Sequence, residues 1–336
     1  MMMTSTHSPE RADHTAPKAR WRDTLVLAGL FALVLTGLAG MAAATGWEET
    51  MAQIARLHLW QLVALLALSL VNYMLRGLRW HLFSRRLGLG LPLIADLRHF
   101  LGGFAMSVTP GRVGELVRMR WIGRETGARF ERTAPLMLID RATDLAAMGL
   151  LLGLALGLSA SGISFGLPVT ALALIAAYIA TRPRLLARLA EWGYRFSGRG
   201  KRLFAKIRRA SGTLASFSSP GLMSASLVLG FIGWFAEGAA FYLLLSWMGA
   251  DVGLAKAVAI FVFSGIAGGL TGAPGGVGGA EAAMVALLSL DGVGLEAALP
   301  ATAIIRVTTL WFAILIGLAT FPIAEKYSLR PKHVVE

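Results

Sequence analysis

Two short stretches rich in glycine decide how this chain is interpreted. Residues 109–115 read TPGRVGE (the first Pro-Gly stretch), and residues 273–281 read APGGVGGAE (the second Pro-Gly stretch). Similar apolar sequences follow: residues 139–145 read IDRATDL and residues 304–310 read IIRVTTL. Proline and arginine are 31 residues apart in the first copy and 32 in the second. Both matches at a nearly constant spacing indicate an internal repeat.

The amino-acid composition of the whole chain indicates a membrane protein. Of 336 residues, 56% are hydrophobic and 15% are charged, whereas soluble domains carry about 25% charged residues. Six apolar runs approach the ~17–25 residues with which a helix crosses the hydrocarbon core; they lie at about 25–45, 59–75, 134–157, 167–181, 221–248 and 299–324. Two more stretches, about 92–111 and 257–290, are apolar but interrupted by glycine and proline.

The basic residues indicate membrane topology rather than binding to nucleic acid, despite a formal net charge of +13. Twenty-eight of the 32 lysines and arginines lie in five segments: 1–23, 76–98, 112–132, 182–209 and the residues after 325. The positive-inside rule assigns these segments to the cytoplasm, together with both termini. Only Arg56 and Lys256 lie in the other connections, and Arg141 and Arg306 lie within apolar helices.

The same distribution predicts that the two interrupted stretches do not cross the membrane. Stretch 92–111 has basic segments on both sides, so it should enter and leave at the cytoplasmic face. Stretch 257–290 is flanked by acidic residues, so it should enter and leave at the outer face. Irregular backbone at membrane depth requires protein or a watery cavity around it. We therefore predict two re-entrant hairpins that face a central cavity.

The predicted fold is an all-α integral membrane protein, a polytopic helical bundle with two inverted-topology repeats that each contain a re-entrant, broken-helix hairpin. Such repeats are typical of secondary transporters. The segment at 182–209 is either an amphipathic helix on the anionic leaflet or a solvated loop. The expected segments are a disordered cytoplasmic tail (1–24), a single transmembrane domain (25–325) with repeat one (about 59–157), a basic cytoplasmic loop (182–220) and repeat two (about 221–324), and a second cytoplasmic tail (326–336).

Arginines near the repeats are candidates for a binding site. The helical rise locates Arg141 roughly 10–13 Å from the cytoplasmic end of its helix and Arg306 roughly 10 Å from the outer end of its own. A guanidinium group has the planar geometry that suits phosphate, so this pair could pass an anionic head group between the two leaflets. Arg112 and Arg118 would gather that head group at the cytoplasmic mouth.

Two aspartates accompany Arg141 on the helix predicted at 134–157. Asp140 and Asp144 share one face of that helix, and Arg141 neighbours Asp144. Arg141 is thus the predicted buried partner of both carboxylates. The three residues form either part of the binding site, where the carboxylates orient the arginine or bind a basic head group, or a network that fixes helix packing.

Three glutamates are further candidates. Glu237 and Glu281 are the available acidic partners of Arg306, whose own helix has no acidic residue between 299 and 324. Glu237, alone on an apolar helix, is either a buried protonated acid or a proton-coupling residue. Glu115 follows the first Pro-Gly stretch as Glu281 follows the second.

The Pro-Gly stretches themselves have two interpretations. Glycine permits close backbone approach, and a helix that begins after such a turn directs N–H groups at an anion. Alternatively, the glycines only let the hairpins pack tightly. We favour an anion site because a glutamate follows both turns. The residues concerned are Pro110, Gly111, Gly114, Pro274, Gly275, Gly276 and Gly278.

Metal and cofactor chemistry are not expected. The chain has no cysteine, and its six histidines are scattered without ligand spacing. No Walker A or dinucleotide-binding motif is present, and no serine has a basic residue placed to activate it. We therefore predict no metal, no cofactor and no catalytic residue.

The Pro-Gly stretches and the sequence DRATD at 140–144 resemble the lysylphosphatidylglycerol synthase transmembrane (flippase-like) family, over roughly residues 25–325. That family includes the membrane half of the bacterial multiple peptide resistance factor, which moves aminoacylated phosphatidylglycerol between leaflets, and stand-alone members, some associated with hopanoid biosynthesis. Because the chain ends at Glu336, the aminoacyl-transferase domain of the bifunctional members is not expected, and lysyl transfer is not implied.

The sequence thus predicts a multi-pass protein of the bacterial inner membrane that translocates an anionic, phosphate-bearing lipid. A membrane scaffold or accessory subunit for a separate lipid-modifying enzyme is the second hypothesis. An intramembrane lipid-modifying enzyme is the third. Membrane lipids with anionic head groups are the expected partners, and the sequence does not specify an oligomeric state.

Overall fold

The computed structural model describes residues 57–107, 113–159, 165–182 and 214–329, with a few isolated residues at 51–55 and 184–192. This part of the chain is helical and contains no strand. The apolar run predicted at 25–45, the predicted tail at 1–24, residues 330–336 of the second predicted tail and most of the basic loop at 182–220 lie outside the described residues.

Four helices or continuous helical segments are long and apolar enough to cross a membrane: Leu59–Arg86, Phe130–Leu158, Pro220–Trp247 and Leu295–Ser328. The last of these runs over Leu295–Ser328 and includes a five-residue π-helical segment, Val307–Trp311. The helices are α1 (Leu59–Arg86), α2 (Leu93–Gly102), α3 (Val113–Thr126), α4 (Phe130–Leu158), α5 (Gly166–Thr181), α6 (Pro220–Trp247), α7 (Leu254–Leu270), α8 (Gly279–Leu290), α9 (Leu295–Arg306) and α10 (Phe312–Ser328).

Helix α1 is longer than the sequence predicted. The predicted helix stops at residue 75, whereas α1 continues to Arg86 and carries Arg76 and Arg79 in its interior. Both arginines are buried, with 7% and 0% of their surface exposed. The expectation that only Arg141 and Arg306 lie within apolar helices is therefore wrong. Carboxylates on α4 stabilise these two extra charges, as described below.

The two interrupted stretches are pairs of short elements. Stretch 92–111 contains α2 and a 3₁₀ turn at Gly103–Met106. Stretch 257–290 contains most of α7 and all of α8, joined through an irregular turn. At 1.5 Å per residue, α7 is about 25 Å long and α8 about 18 Å, so each is shorter than the ~30 Å hydrocarbon core.

The α7–α8 turn depends on glycine. Gly275, Gly276 and Gly278 have φ angles of 64°, 67° and 87°, in the left-handed region that L side chains rarely adopt. A Cβ atom on Gly276 would also lie 3.1 Å from the backbone of Gly268. The glycine-rich sequence therefore allows α7 and α8 to fold back closely on each other.

Helix α6 packs against α1, α4 and α7, and α10 packs against α2 and the 3₁₀ turn. Small residues allow these contacts: Gly238 lies against Val258 of α7, and Gly317 of α10 lies against the backbone of Ala105. Large apolar side chains are exposed on the long helices, among them Val63, Leu154 and Val228. In water such exposure is unfavourable, so these side chains are consistent with contact to lipid.

Candidate functional site

A cavity of about 470 Å³ lies between the long helices and both interrupted stretches. Much of its wall is apolar or glycine, but six charged side chains face it: Arg76, Arg118, Asp144, Arg141, Glu237 and Arg306. The volume falls within the range of about 300–1,000 Å³ typical of ligand sites. An interior with this concentration of charge is costly in an apolar bundle, which makes the cavity the candidate site.

On the α4 side, Arg141 contacts both aspartates of its own helix. Its Nη2 donates to Asp140 Oδ2 at 3.1 Å, and its Nη1 lies 3.5 Å from Asp144 Oδ2. The aspartates are almost fully buried, but one third of the Arg141 side chain is exposed. Arg141 therefore presents part of its guanidinium group to the cavity.

Two arginines of α1 hold the same carboxylates more closely. Arg79 Nη2 donates to Asp140 Oδ1 at 2.5 Å and to Asp144 Oδ1 at 2.8 Å, and Arg76 Nη2 donates to Asp144 Oδ2 at 2.7 Å. The sequence prediction that Arg141 is the buried partner of both aspartates is thus corrected. Arg79 and Arg76 are the buried partners, because α1 packs beside α4. We call these five residues the arginine–aspartate network.

Sequence reasoning missed Arg76 and Arg79 because the positive-inside rule assigns them to a basic loop. A signal was present: their spacing of three residues puts them on one helix face, as the four-residue spacing does for Asp140 and Asp144. A predicted helix extended by one turn would have included both arginines and would have offered two cations to the two aspartates. Because these arginines were assigned to a loop, the match between the two charged helix faces was missed.

On the opposite wall, Arg306 fastens α9 to the α7–α8 turn. Its Nε donates to Glu281 Oε1 at 2.5 Å, and its Nη2 donates to the Gly275 carbonyl at 3.0 Å. The other oxygen of Glu281 accepts the Gly278 N–H at 2.7 Å. Of the two acidic partners that the sequence offers for Arg306, Glu281 is the one that pairs with it.

The same contacts bear on the proposed anion site at this turn. The Gly278 N–H is already bonded to Glu281, and Gly276 packs closely on Gly268. The tight-packing interpretation therefore describes what the glycines do in this structure. That the remaining N–H groups of the turn hold an anion stays a prediction.

A π-helical segment follows Arg306 directly. Such segments interrupt the regular hydrogen bonding of an α-helix and occur frequently at functional sites. The hydroxyl of Tyr73, on α1, donates to the Thr309 carbonyl within this segment. Both residues line the cavity, so the bond links the helix of the arginine–aspartate network to the helix of Arg306.

Arg118 lies deeper than the sequence predicted. It was expected at the cytoplasmic mouth, but only 3% of its surface is exposed. Its guanidinium carbon lies 4.4 Å from the centre of the Phe100 ring and 5.6 Å from that of Phe104. Such cation–π contacts stabilise a charge in apolar surroundings. Arg118 therefore belongs to the cavity wall beside the 3₁₀ turn.

An ionic cluster beside the cavity joins α3 to α2. Glu125 accepts hydrogen bonds from Arg98 and His99, each at 3.0 Å. Partial burial favours the neutral acid, but the hydrogen bond and charge of His99, with Arg98, outweigh it and lower the pKa of Glu125 below its usual value. The ionised carboxylate thus fastens the short helices that flank the first Pro-Gly stretch.

A second cluster joins α3 to α10. Glu325 accepts hydrogen bonds from Arg120 and Trp121, each at 2.6 Å, and from Arg124 at 2.5 Å. Two cations and an indole thus share one carboxylate. Helix α3 is held on both sides, at α2 and at α10, which gives the residues that follow the first Pro-Gly stretch a fixed position.

Most of the predicted site residues in the described part of the chain meet at the cavity. Asp140 and Glu281 reach it through their arginine partners, and Gly278 and Pro274 belong to the α7–α8 turn. Pro110, Gly111 and Arg112 lie outside the described residues, as does the side chain of Glu115. Gly114 lies in the first turn of α3. The predicted residues that line the cavity are Arg118, Arg141, Asp144, Glu237, Gly275, Gly276 and Arg306.

Comparison with known proteins agrees with the resemblance in the sequence. A search of curated proteins finds no match. A family model described as the lysylphosphatidylglycerol synthase TM region matches residues 25–317, most of the chain. The matched residues include every residue that lines the cavity. The chain therefore belongs to the family of the lysylphosphatidylglycerol synthase transmembrane region.

Proposed function

We propose that this protein translocates an anionic, phosphate-bearing lipid between the leaflets of the bacterial inner membrane. The observation that carries the proposal is the cavity: four arginines face a space of about 470 Å³ whose other walls are largely apolar. Arginine recognises phosphate through paired N–H donors. Apolar walls tolerate the glycerol and upper acyl chains that accompany a lipid head group.

The balance of charge favours an anion as the substrate. Among the described side chains of the site, five guanidinium groups meet four carboxyl groups: Arg76, Arg79, Arg118, Arg141 and Arg306 with Asp140, Asp144, Glu237 and Glu281. Four of these guanidinium groups line the cavity, together with the carboxyl groups of Asp144 and Glu237. A phosphodiester would supply the guanidinium groups with oxygen acceptors in a region where water is scarce.

The arrangement of helices supports a transporter with two related halves. In each half a long helix precedes a pair of short elements and a second long helix follows: α1 and α4 enclose α2 and α3, and α6 and α9 enclose α7 and α8. Both pairs of short elements contribute to the cavity wall. We interpret these pairs as the re-entrant hairpins of an inverted repeat, the first of which extends beyond the predicted stretch 92–111 to include α3. The head group would pass between Arg141 and Arg306.

The distribution of basic residues supports cytoplasmic termini, and the absence of cysteine makes orientation simple to measure. A membrane-impermeant maleimide should label the Glu296→Cys variant in intact cells. It should label the Phe130→Cys variant only after the cells are permeabilised. The same two variants report how the purified protein is oriented in vesicles.

Reconstitution tests the proposal directly. Vesicles with the purified protein should carry phosphatidylglycerol with a fluorescent acyl chain, or the matching phosphatidylcholine, and dithionite should bleach the outer leaflet. We expect the protein to accelerate exchange of the anionic lipid well above that of the zwitterionic lipid and of protein-free vesicles. Equal rates for both lipids would contradict recognition of charge. No acceleration for any lipid in a broad panel would instead favour the scaffold or accessory-subunit hypothesis.

A further inference from the structure

Glu237 differs from every other carboxyl group at the cavity. Asp140 and Asp144 form ion pairs with arginines of α1 and α4, and Glu281 forms one with Arg306. Glu237 lies on α6, lines the cavity and has only 4% of its surface exposed. Within the described part of the chain, no lysine, arginine or histidine nitrogen lies within 4.0 Å of its carboxyl oxygens. A buried carboxylate with no direct cationic partner is expensive.

The charged and titratable groups around Glu237 come from three helices. Helix α1 contributes Tyr73 and Arg76, α4 contributes Asp144, and α9 contributes Arg306. Helix α7, which also packs on α6, has Lys256 as its basic residue, and Lys256 is paired with Asp291. Beside its burial and the neighbouring Asn72 side chain of α1, Glu237 is therefore influenced by two arginines at a distance and by one negative carboxylate.

Both arginines line the cavity that a bound phosphate would occupy, and Arg306 is one of the two arginines between which we propose that the head group passes. Arg76 is bonded to Asp144 and Arg306 to Glu281, so each has part of its charge already offset. A phosphodiester bound beside them would offset the rest and would add a negative charge near Glu237. An ionised Glu237 would then face repulsion inside a nearly water-free wall, where interactions between charges are strongest.

We propose that binding of an anionic lipid head group to the cavity is coupled to uptake of one proton by the carboxylate of Glu237. The inference rests on the proposed function and identifies the coupling ion of the same site. The proton comes from water at the open side of the cavity and forms an O–H bond on a Glu237 oxygen. The phosphodiester keeps its single negative charge, so one negative charge and one proton enter together.

The coupling is reciprocal, as linkage requires. If head-group binding favours protonated Glu237, protonation must favour head-group binding by the same factor. The net charge of the occupied site equals that of the empty site, because one lipid with a single negative charge and one proton bind or leave together. A proton gradient across the membrane would therefore bias the direction of lipid movement, and no nucleotide would be required.

The experiment measures binding rather than translocation. The full-length protein in nanodiscs should be titrated with short-chain fluorescent phosphatidylglycerol from about pH 5 to about pH 8. We expect the dissociation constant to rise with pH by up to about tenfold per pH unit, the slope for one coupled proton. In weakly buffered solution with a pH indicator, about one proton should be taken up per lipid bound.

Three variants assign the proton to its residue. Glu237→Gln removes the titrating group and should abolish both the slope and the proton uptake. Glu237→Asp keeps a carboxyl group in the cavity and should retain them. Glu296→Gln makes the same chemical change at an exposed position on α9 and should behave as the parent protein does.

The outcomes separate this inference from the proposed function. Lipid binding by the parent protein without pH dependence and without proton uptake would overturn the coupling and leave the translocation proposal intact. Binding of lipid by Glu237→Gln with the parent slope would also overturn the coupling. The proton measurement on the parent protein decides the matter even if Glu237→Gln does not fold. No binding of any anionic lipid at any pH would overturn the proposed function itself.

Discussion

The two arginines that the repeat makes equivalent, Arg141 and Arg306, are held in different ways. Arg141 shares Asp140 and Asp144 with two arginines of another helix, and 33% of its side chain is exposed. Arg306 has the carboxylate of Glu281 to itself within the described part of the chain, and its side chain is 12% exposed. Arg141 is thus one cation among several, whereas Arg306 is the one described cation that binds the α7–α8 turn from α9.

This difference distinguishes arginines that stabilise the fold from arginines that can contact a ligand. In the arginine–aspartate network the buried Arg79 stabilises the aspartates, so Arg141 can remain partly exposed and available to a ligand. At Arg306, one side chain both fastens the turn and faces the cavity. Equivalent positions in a sequence repeat therefore need not carry equal structural cost. Five substitutions, taken in order of expected effect, measure this asymmetry.

The largest effect is expected on stability, from Arg79→Ala. It removes a fully buried cation and leaves two buried aspartates short of positive charge, which costs about 3–5 kcal/mol. Arg141→Ala should cost only about 1 kcal/mol, because its side chain is partly exposed and Arg76 and Arg79 remain. Thermal unfolding in detergent would compare them, with the exposed Arg129→Ala as the control. Equal losses for Arg79 and Arg141 would show that the network does not divide its roles as described.

An intermediate effect is expected on lipid movement, from lysine at either arginine of the pair. Lysine keeps the charge but lacks the planar fork. Arg306→Lys cannot hold Glu281 and the Gly275 carbonyl in the same way, and we expect about tenfold slower translocation, equivalent to about 1.4 kcal/mol.

The companion variant, Arg141→Lys, should fold normally and slow translocation by a similar factor, because its role is recognition. Thermal stability measured beside the vesicle assay separates the two contributions. Arg306→Lys with normal stability and full translocation would assign Arg306 to structure alone. The acidic residues of the cavity would then become the principal candidates for the site.

The smallest effect is expected from Tyr73→Phe, which removes the hydrogen bond to the Thr309 carbonyl and little else. A hydrogen bond of this kind contributes about 1 kcal/mol, so the unfolding temperature should fall slightly. If this hydrogen bond holds the π-helical segment in place against α1, the Arg306 side chain beside that segment should also be less ordered in Tyr73→Phe. Tyr178→Phe, at an exposed position on α5, is the matched control. Identical behaviour of the two variants would remove the link between α1 and Arg306.

Much of the fold followed from local properties of the sequence. Apolar length predicted the helices that became α4, α5 and α6 to within a few residues, because a run of apolar residues is helical in lipid whatever surrounds it. Glycine and proline predicted where the stretches at 92–111 and 257–290 would break. The resemblance in the Pro-Gly stretches pointed to the family that the full-length comparison supports.

Part of the candidate site also followed from the sequence. Glu281 was one of two acidic partners predicted for Arg306, because the helix of Arg306 offered no acid of its own, and the structure selects Glu281. Arg141, Asp144 and Glu237 were selected since ionisable groups in apolar helices are costly and so mark a site. These inferences needed only the identity of a residue and the apolar character of its neighbours.

The sequence by itself therefore determined the membrane class, the helices, their interruptions and most of the charged residues of the cavity. Only the tertiary structure decided which charges are paired. Arg79 and Arg76 lie 61 to 68 residues from the aspartates that they contact, and no local pattern brings α1 beside α4. The reason is physical: a buried charge is stable only next to a partner in space, and helix packing chooses that partner.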